Sequence, residues 1–199
     1  MQTRRCLSLV IFFIAIFSAF SVSRQAYAVS YPSDPESSKQ WYLQKIGAYD
    51  AWSIAKGSKD VVVAVLDTGL DIDHPDLKEN LWENTSEVPD GKDNDGNVYV
   101  DDVNGWDFVD GDSNPRPDLN DLQGTAAAIN HGTLVAGIIG AMGDNAIGVS
   151  GLNWRVKIMP LRVLDSQGQG DVNAVEEAIR YAVDKGADII NLSFIGPGF

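Results

Sequence analysis

Val61 to Leu66 is an unbroken run of apolar, mostly β-branched residues, and a strand with this pattern must be covered on both faces. A strand with one wet face would alternate polar and apolar positions, so the run predicts a strand inside a parallel sheet. Similar runs at Val156 to Leu164 and Ile189 to Phe194 predict two more. Between those two, Asp171 to Lys185 places Val172, Val175, Ala178, Ile179, Ala182 and Val183 on one helical face, with Glu176, Glu177, Arg180 and Asp184 opposite and Gly186 as the stop. Strand, amphipathic helix and strand make a βαβ unit. The expected class is therefore α/β: three layers, a mostly parallel sheet with helices on both faces, and a sheet still incomplete at the C-terminus. Shorter helices are expected at Ile46–Ala55 and at His131–Ala141, the latter with Gly132, Ala136, Gly137 and Gly140 allowing close approach.

Residues 1–28 read as a cleaved signal peptide. Arg4 and Arg5 precede an apolar run from Leu7 to Phe20, and Ala26-Tyr27-Ala28 supplies the small-x-small cleavage site. The run is shorter than the roughly 20 residues that cross a bilayer, which argues against an anchor helix. Its removal takes away Arg4, Arg5 and Arg24 but no acid, so the formal charge falls from −13 to −16. Such a field repels nucleic acid and anionic lipid, so neither nucleic-acid binding nor stable membrane association is expected. The only cysteine, Cys6, lies in the same segment, and the exported part, residues 29–199, has no disulfide.

Chemistry enters at Asp67-Thr68-Gly69, which ends the first buried strand and so stands at the carboxyl edge of the sheet, where α/β proteins build their sites. The tripeptide also marks pepsin-like aspartic proteases. That reading needs a second such tripeptide in an all-β fold, and neither is present. Asp67-Thr68-Gly69 runs on into Asp73-His74-Pro75-Asp76-Leu77, and His131-Gly132-Thr133-Leu134-Val135-Ala136-Gly137 begins 64 positions after Asp67. These blocks resemble the aspartate and histidine blocks of the subtilisin-like serine proteases. Ser33-Asp34-Pro35 with Gln40-Trp41 is similar to the mature N-terminus of the thermitase-like branch, Asn145-Ala146-Ile147-Gly148-Val149 to a calcium loop, and Ile190-Asn191-Leu192-Ser193 to a substrate-pocket strand.

The resemblance implies a secreted, calcium-stabilised serine endopeptidase acting on protein or peptide substrates, expected as a monomer. Asp67 would orient His131, and His131 would be the general base for a serine. His74, in a Pro-containing turn, is read as structural. The family's serine block does not occur before Phe199, and Ser193 lacks its context, so these residues are expected to form the N-terminal part of the peptidase domain and to be inactive alone. A non-catalytic, calcium-dependent binding protein on the same scaffold is the alternative. Gly168-Gln169-Gly170 and Ser193-Phe194-Ile195-Gly196 would bind an extended peptide by β-augmentation. Ile195 departs from the family's Ser-Leu-Gly, and Leu134 replaces its usual histidine.

Calcium takes roughly 6 to 8 oxygens from carboxylates, amides and carbonyls. The resemblance implies one site from Asp34, Asp76 and Asn145 with the carbonyls of Ile147 and Val149, and a second from Asp107, Asp110 and Asp112, where Arg116 replaces a neutral ligand. A third candidate, with Asp93, Asp95, Asn97 and Asp102, spaces its oxygens like the start of an EF-hand loop but lacks the closing glutamate. It lies in a segment from Glu83 to Asp121 that carries twelve acids against Lys92 and Arg116.

Overall fold

The structure, a computed structural model, describes residues 29–121 and 123–196; the signal-peptide expectation lies outside them. Four parallel strands form one sheet: β1 (Gly57–Asp67), β2 (Trp106–Asp107), β3 (Arg155–Arg162) and β4 (Ile189–Leu192), in the order β2-β3-β1-β4. The helices are α1 (Trp41–Lys45), α2 (Ala48–Trp52), α3 (Ala126–Ile129), α4 (His131–Gly140) and α5 (Val172–Asp184). Among the described residues, no helix is long and apolar enough to cross a membrane.

The apolar run does what its composition requires. Val62, Ala64 and Leu66 enter one core with Met159, Leu161 and the α5 residues Ala178, Tyr181 and Ala182, while Val63 and Val65 enter the other with Val156, Ile158 and Ala136 of α4. Successive side chains alternate across the sheet, so a strand with no polar face holds a helix on each side. The three-layer α/β class is the one expected.

Two local features differ from expectation. The helix expected at Ile46–Ala55 is confined to α2, which starts only after Gly47 at φ 73°, and a helix not expected, α1, precedes it; the two pack Leu43, Ala48 and Trp52 around Trp154. On α5 the buried line is Ala178, Tyr181 and Ala182, whereas Val172 and Val183 are exposed. At about 100° per residue those two valines lie off that line, and Tyr181, which the pattern did not assign to the apolar face, is buried on it. Gly186 ends the helix as expected, its amide and that of Ala187 bonding back to Val183 and Ala182, and the Asp171 carboxylate caps the start by accepting from the Asn173 amide at 2.7 Å.

Candidate active site and cation sites

β1 is central, so Asp67 at its carboxyl end is flanked by the ends of β3 and β4. Its side chain is 1% exposed. Helix α4 begins with His131, and the imidazole Nδ1 lies 2.8 Å from Asp67 Oδ1 and 3.0 Å from Oδ2. The Thr68 amide donates to Asp67 Oδ1 at 2.7 Å, which fixes the carboxylate from the strand side. The Thr68 hydroxyl lies 3.3 Å from the same oxygen and accepts from the Gly132 amide at 3.3 Å. One hydroxyl thus ties the strand end to the helix start. Thr133 adds a second tie, its hydroxyl accepting from the Asp71 amide at 3.0 Å.

This geometry sets the roles of the ring nitrogens. With Nδ1 donating to a buried carboxylate, Nε2 carries the free lone pair, and the ring side chain is 44% exposed. A hydroxyl arriving from solvent would meet an acceptor whose tautomer is already set. His74 is engaged elsewhere, its Nδ1 accepting from the Asp76 amide at 3.2 Å.

The two segments read as substrate-binding stand on either side of Asp67. Gly168-Gln169-Gly170 follows β3 in an exposed turn closed by Asp165, whose amide donates to the Gln169 carbonyl at 2.8 Å and whose carboxylate accepts from the Gln169 amide at 2.9 Å. Ser193-Phe194-Ile195-Gly196 follows β4. Phe194 packs on the α5 side of the core, Ile195 is 98% exposed, and the Ser193 hydroxyl accepts from Asn191 at 2.9 Å.

Of the cation candidates, Asp34, Asp76 and Asn145 come together. Asp34 accepts from the amides of Asp144, Asn145 and Ala146 at 2.8, 2.9 and 3.2 Å and from the Ser150 hydroxyl. Asp76 accepts from the Asn145 side-chain amide at 2.8 Å and from the Val149 amide at 2.9 Å. Both carboxylates are buried, and among the described residues neither forms a salt bridge with a basic side chain. The carbonyls of Ile147 and Val149 accept no backbone hydrogen bond there. Two buried charges without a counter-charge, beside uncommitted carbonyls, fit a hard oxygen-liganded cation.

The second candidate holds a cation of its own. Arg162, 4% exposed, places Nη1 2.5 Å from both Asp107 Oδ2 and Asp110 Oδ2, so a guanidinium stands between the two carboxylates. Burial pushes the Asp107 carboxyl up, and the arginine and the amides of Asp110 and Val109 only partly offset this. Asp112 faces outward and caps the Asn114 amide at 2.9 Å. In the third loop, Asp93 uses both oxygens on backbone amides, of Val98 first and then of Gly96 and Asn97, which hold its carboxyl below the usual value. Asn97 donates to Asp102 at 2.8 Å, and Lys185, just past the end of α5, reaches Asp95 and Asp102. Asp95 and Asp102 therefore converge, while Asp93 is spent on the turn.

Thr68, Arg162 and Lys185 were not singled out by the sequence reading. Only Arg162 left a trace, as one of two charged residues, with Lys157, within the apolar strand run from Val156 to Leu164.

Residues 58–198 match the family model described as the subtilase family, and the chain belongs to that family. It is 40% identical over 166 residues to thermitase of Thermoactinomyces vulgaris, covering 83% of this chain and 48% of thermitase. A thermophilic serine proteinase of Bacillus sp. (strain AK1) is 36% identical over 178 residues, 89% of this chain and 35% of that protein. Among solved structures, a protease from Pseudoalteromonas arctica superposes with a TM-score of 0.65 at 30% identity, over 85% of this chain and 52% of the other. The chain thus spans less than half the length of these two curated relatives.

Proposed function

We propose that the protein is an exported, calcium-stabilised serine endopeptidase in which Asp67 and His131 act with a serine that follows Phe199 in the whole protein. The observation that carries this reading is the imidazole Nδ1 bonded to a carboxylate that is 1% exposed, with the ring's other nitrogen left free. His131 Nε2 takes the serine proton as the hydroxyl oxygen attacks the scissile carbonyl, and later returns it to the leaving amine. Asp67 stays ionised and stabilises the imidazolium formed between those steps. An extended peptide would lie between Gly168–Gly170 and Ser193–Gly196, at the strand ends flanking Asp67.

Calcium would be held by Asp34, Asp76 and Asn145 with the carbonyls of Ile147 and Val149. It would supply the charge that the two buried carboxylates lack, and its role is to tie the N-terminal segment to the loop after α4. Export rests on the pattern of residues 1–28, and the absence of a disulfide in residues 29–199 makes metal the natural staple.

A fluorophosphonate probe applied to the whole protein tests the reading. The expected result is covalent labelling of one serine with loss of peptide hydrolysis. A protein that hydrolyses peptides unlabelled, or neither reacts nor hydrolyses, contradicts it; the latter result would favour a calcium-dependent binding protein.

A further inference from the structure

The acidic loop after β1 contains a buried glutamate with unfinished chemistry. Glu87 is 6% exposed. Its Oε1 accepts from the amides of Asn94 and Asp95 at 2.9 and 3.0 Å, but its Oε2 is buried with no donor. One carboxylate oxygen each from Glu87, Asp95 and Asp102 lies within 4.8 Å of the others. Oxygens at that separation can share a cation bound at roughly 2.4 Å from each.

The charges do not balance without one. Asp102 is fully buried, its oxygens taking bonds from Asn84 at 2.7 Å, Asn97 at 2.8 Å and the Tyr181 hydroxyl at 2.7 Å. Lys185 pairs with Asp95 and Asp102, but among the described residues Glu87 has no basic partner. Three carboxylates against one ammonium leave two negative charges, and since Glu87 and Asp102 are buried while Asp95 is exposed, the excess falls partly in a poorly hydrated place, which is costly unless a divalent cation offsets it. The EF-hand-like spacing lacks a glutamate after the loop. The fold supplies one from before it.

We propose that Glu87, Asp95 and Asp102 form a calcium site, with Glu87 Oε2 as the ligand that the loop's own spacing lacks. Lys185 supplies part of the counter-charge and holds the affinity down by repulsion. The site extends the calcium reading to a ligand outside the loop, and it stands or falls separately from the site at Asp34 and Asp76.

Terbium titration of the full chain tests it, because Tyr181 touches Asp102 and Tyr99 lies 5.0 Å from the Tyr181 ring, so bound terbium would emit on aromatic excitation. In an Asp76→Asn background, calcium-displaceable emission is expected, and Glu87→Gln should weaken terbium binding by about tenfold or more. Lys185→Met should instead tighten it, a gain that a misfolded protein could not show. Unchanged binding in Glu87→Gln, or no emission in either the Asp76→Asn protein or its Lys185→Met variant, overturns the proposal. Loss of one calcium equivalent in Asp76→Asn but not in Glu87→Gln would leave the first site standing and remove this one.

Discussion

The Cα of Gly132 sits against the carbonyl of Gly69: a Cβ at position 132 would stand 2.2 Å from the Gly69 oxygen and 3.0 Å from the Asp67 Cβ. Gly69 is itself at φ 102°, and a side chain there would strike the backbone of Pro117 at 2.6 Å. Gly132 lets the start of helix α4 press onto the end of β1, which brings Nδ1 of His131 within 3.0 Å of both Asp67 oxygens, while Gly69 gives the strand end room beside the loop of Pro115, Arg116 and Pro117. Gly132→Ala is expected to push the helix off the strand, lowering stability by about 1–3 kcal/mol and catalysis more than proportionately. Thermal unfolding and kcat of the whole protein check this; a variant matching the parent in both would show that the close approach is dispensable.

Removing the arginine between two acids should cost more than removing the group of three. Arg162→Met leaves Asp107, 2% exposed, without its guanidinium, and about 3 kcal/mol of stability is expected to go with it. Arg162→Met combined with Asp107→Asn and Asp110→Asn should recover most of that loss. Urea unfolding of the single and combined variants decides the matter, and equal destabilisation by both would contradict the account.

Chelation should lower the melting temperature. If calcium stands at 1,000 times its dissociation constant, its removal costs about 4 kcal/mol, a shift of several degrees in a domain of this size. Asp76→Asn should melt below the parent and respond less to chelator. An identical response in the two proteins would place the calcium effect elsewhere.

Acid should loosen the segment that leads to α3. The Ser166 hydroxyl, then the Gln123 amide, hold the Asp121 carboxyl below its ordinary 3.8. A carboxylate with a depressed folded pKa contributes stability above pH 3.8, and that contribution is lost as pH falls below this value through the folded pKa. Ser166→Ala should move the Asp121 titration midpoint upward, as read from its carboxyl carbon shift by NMR. An unmoved midpoint would show that the hydroxyl is not the cause.

How far the sequence revealed this molecule depends on the reach of each signal. β1 was legible because six apolar residues in a row admit one environment, and α5 was legible because its period and both caps are local. The turn at Gly47 that separates α1 from α2 was not, since a glycine at φ 73° resembles any other glycine in sequence. Asp67 and His131 were found through the motifs around them. The partners of the acidic loops were hidden for a different reason: Arg162 lies 55 residues from Asp107, and Lys185 lies 90 from Asp95. Loop composition announces negative charge, but which cation answers it is decided by the sheet and helix that pack alongside.

Asp67→Asn in the whole protein gives the most direct test of the central relationship, in which a buried carboxylate holds His131 ready to accept a proton through Nε2. Subtilisin itself sets the scale, since loss of its triad aspartate alone costs about 3 × 10⁴ in kcat. The variant is expected to fold, to retain KM within a few-fold, and to lose kcat by about that factor at neutral pH. Peptide hydrolysis at the parental rate by a folded Asp67→Asn protein would contradict the account.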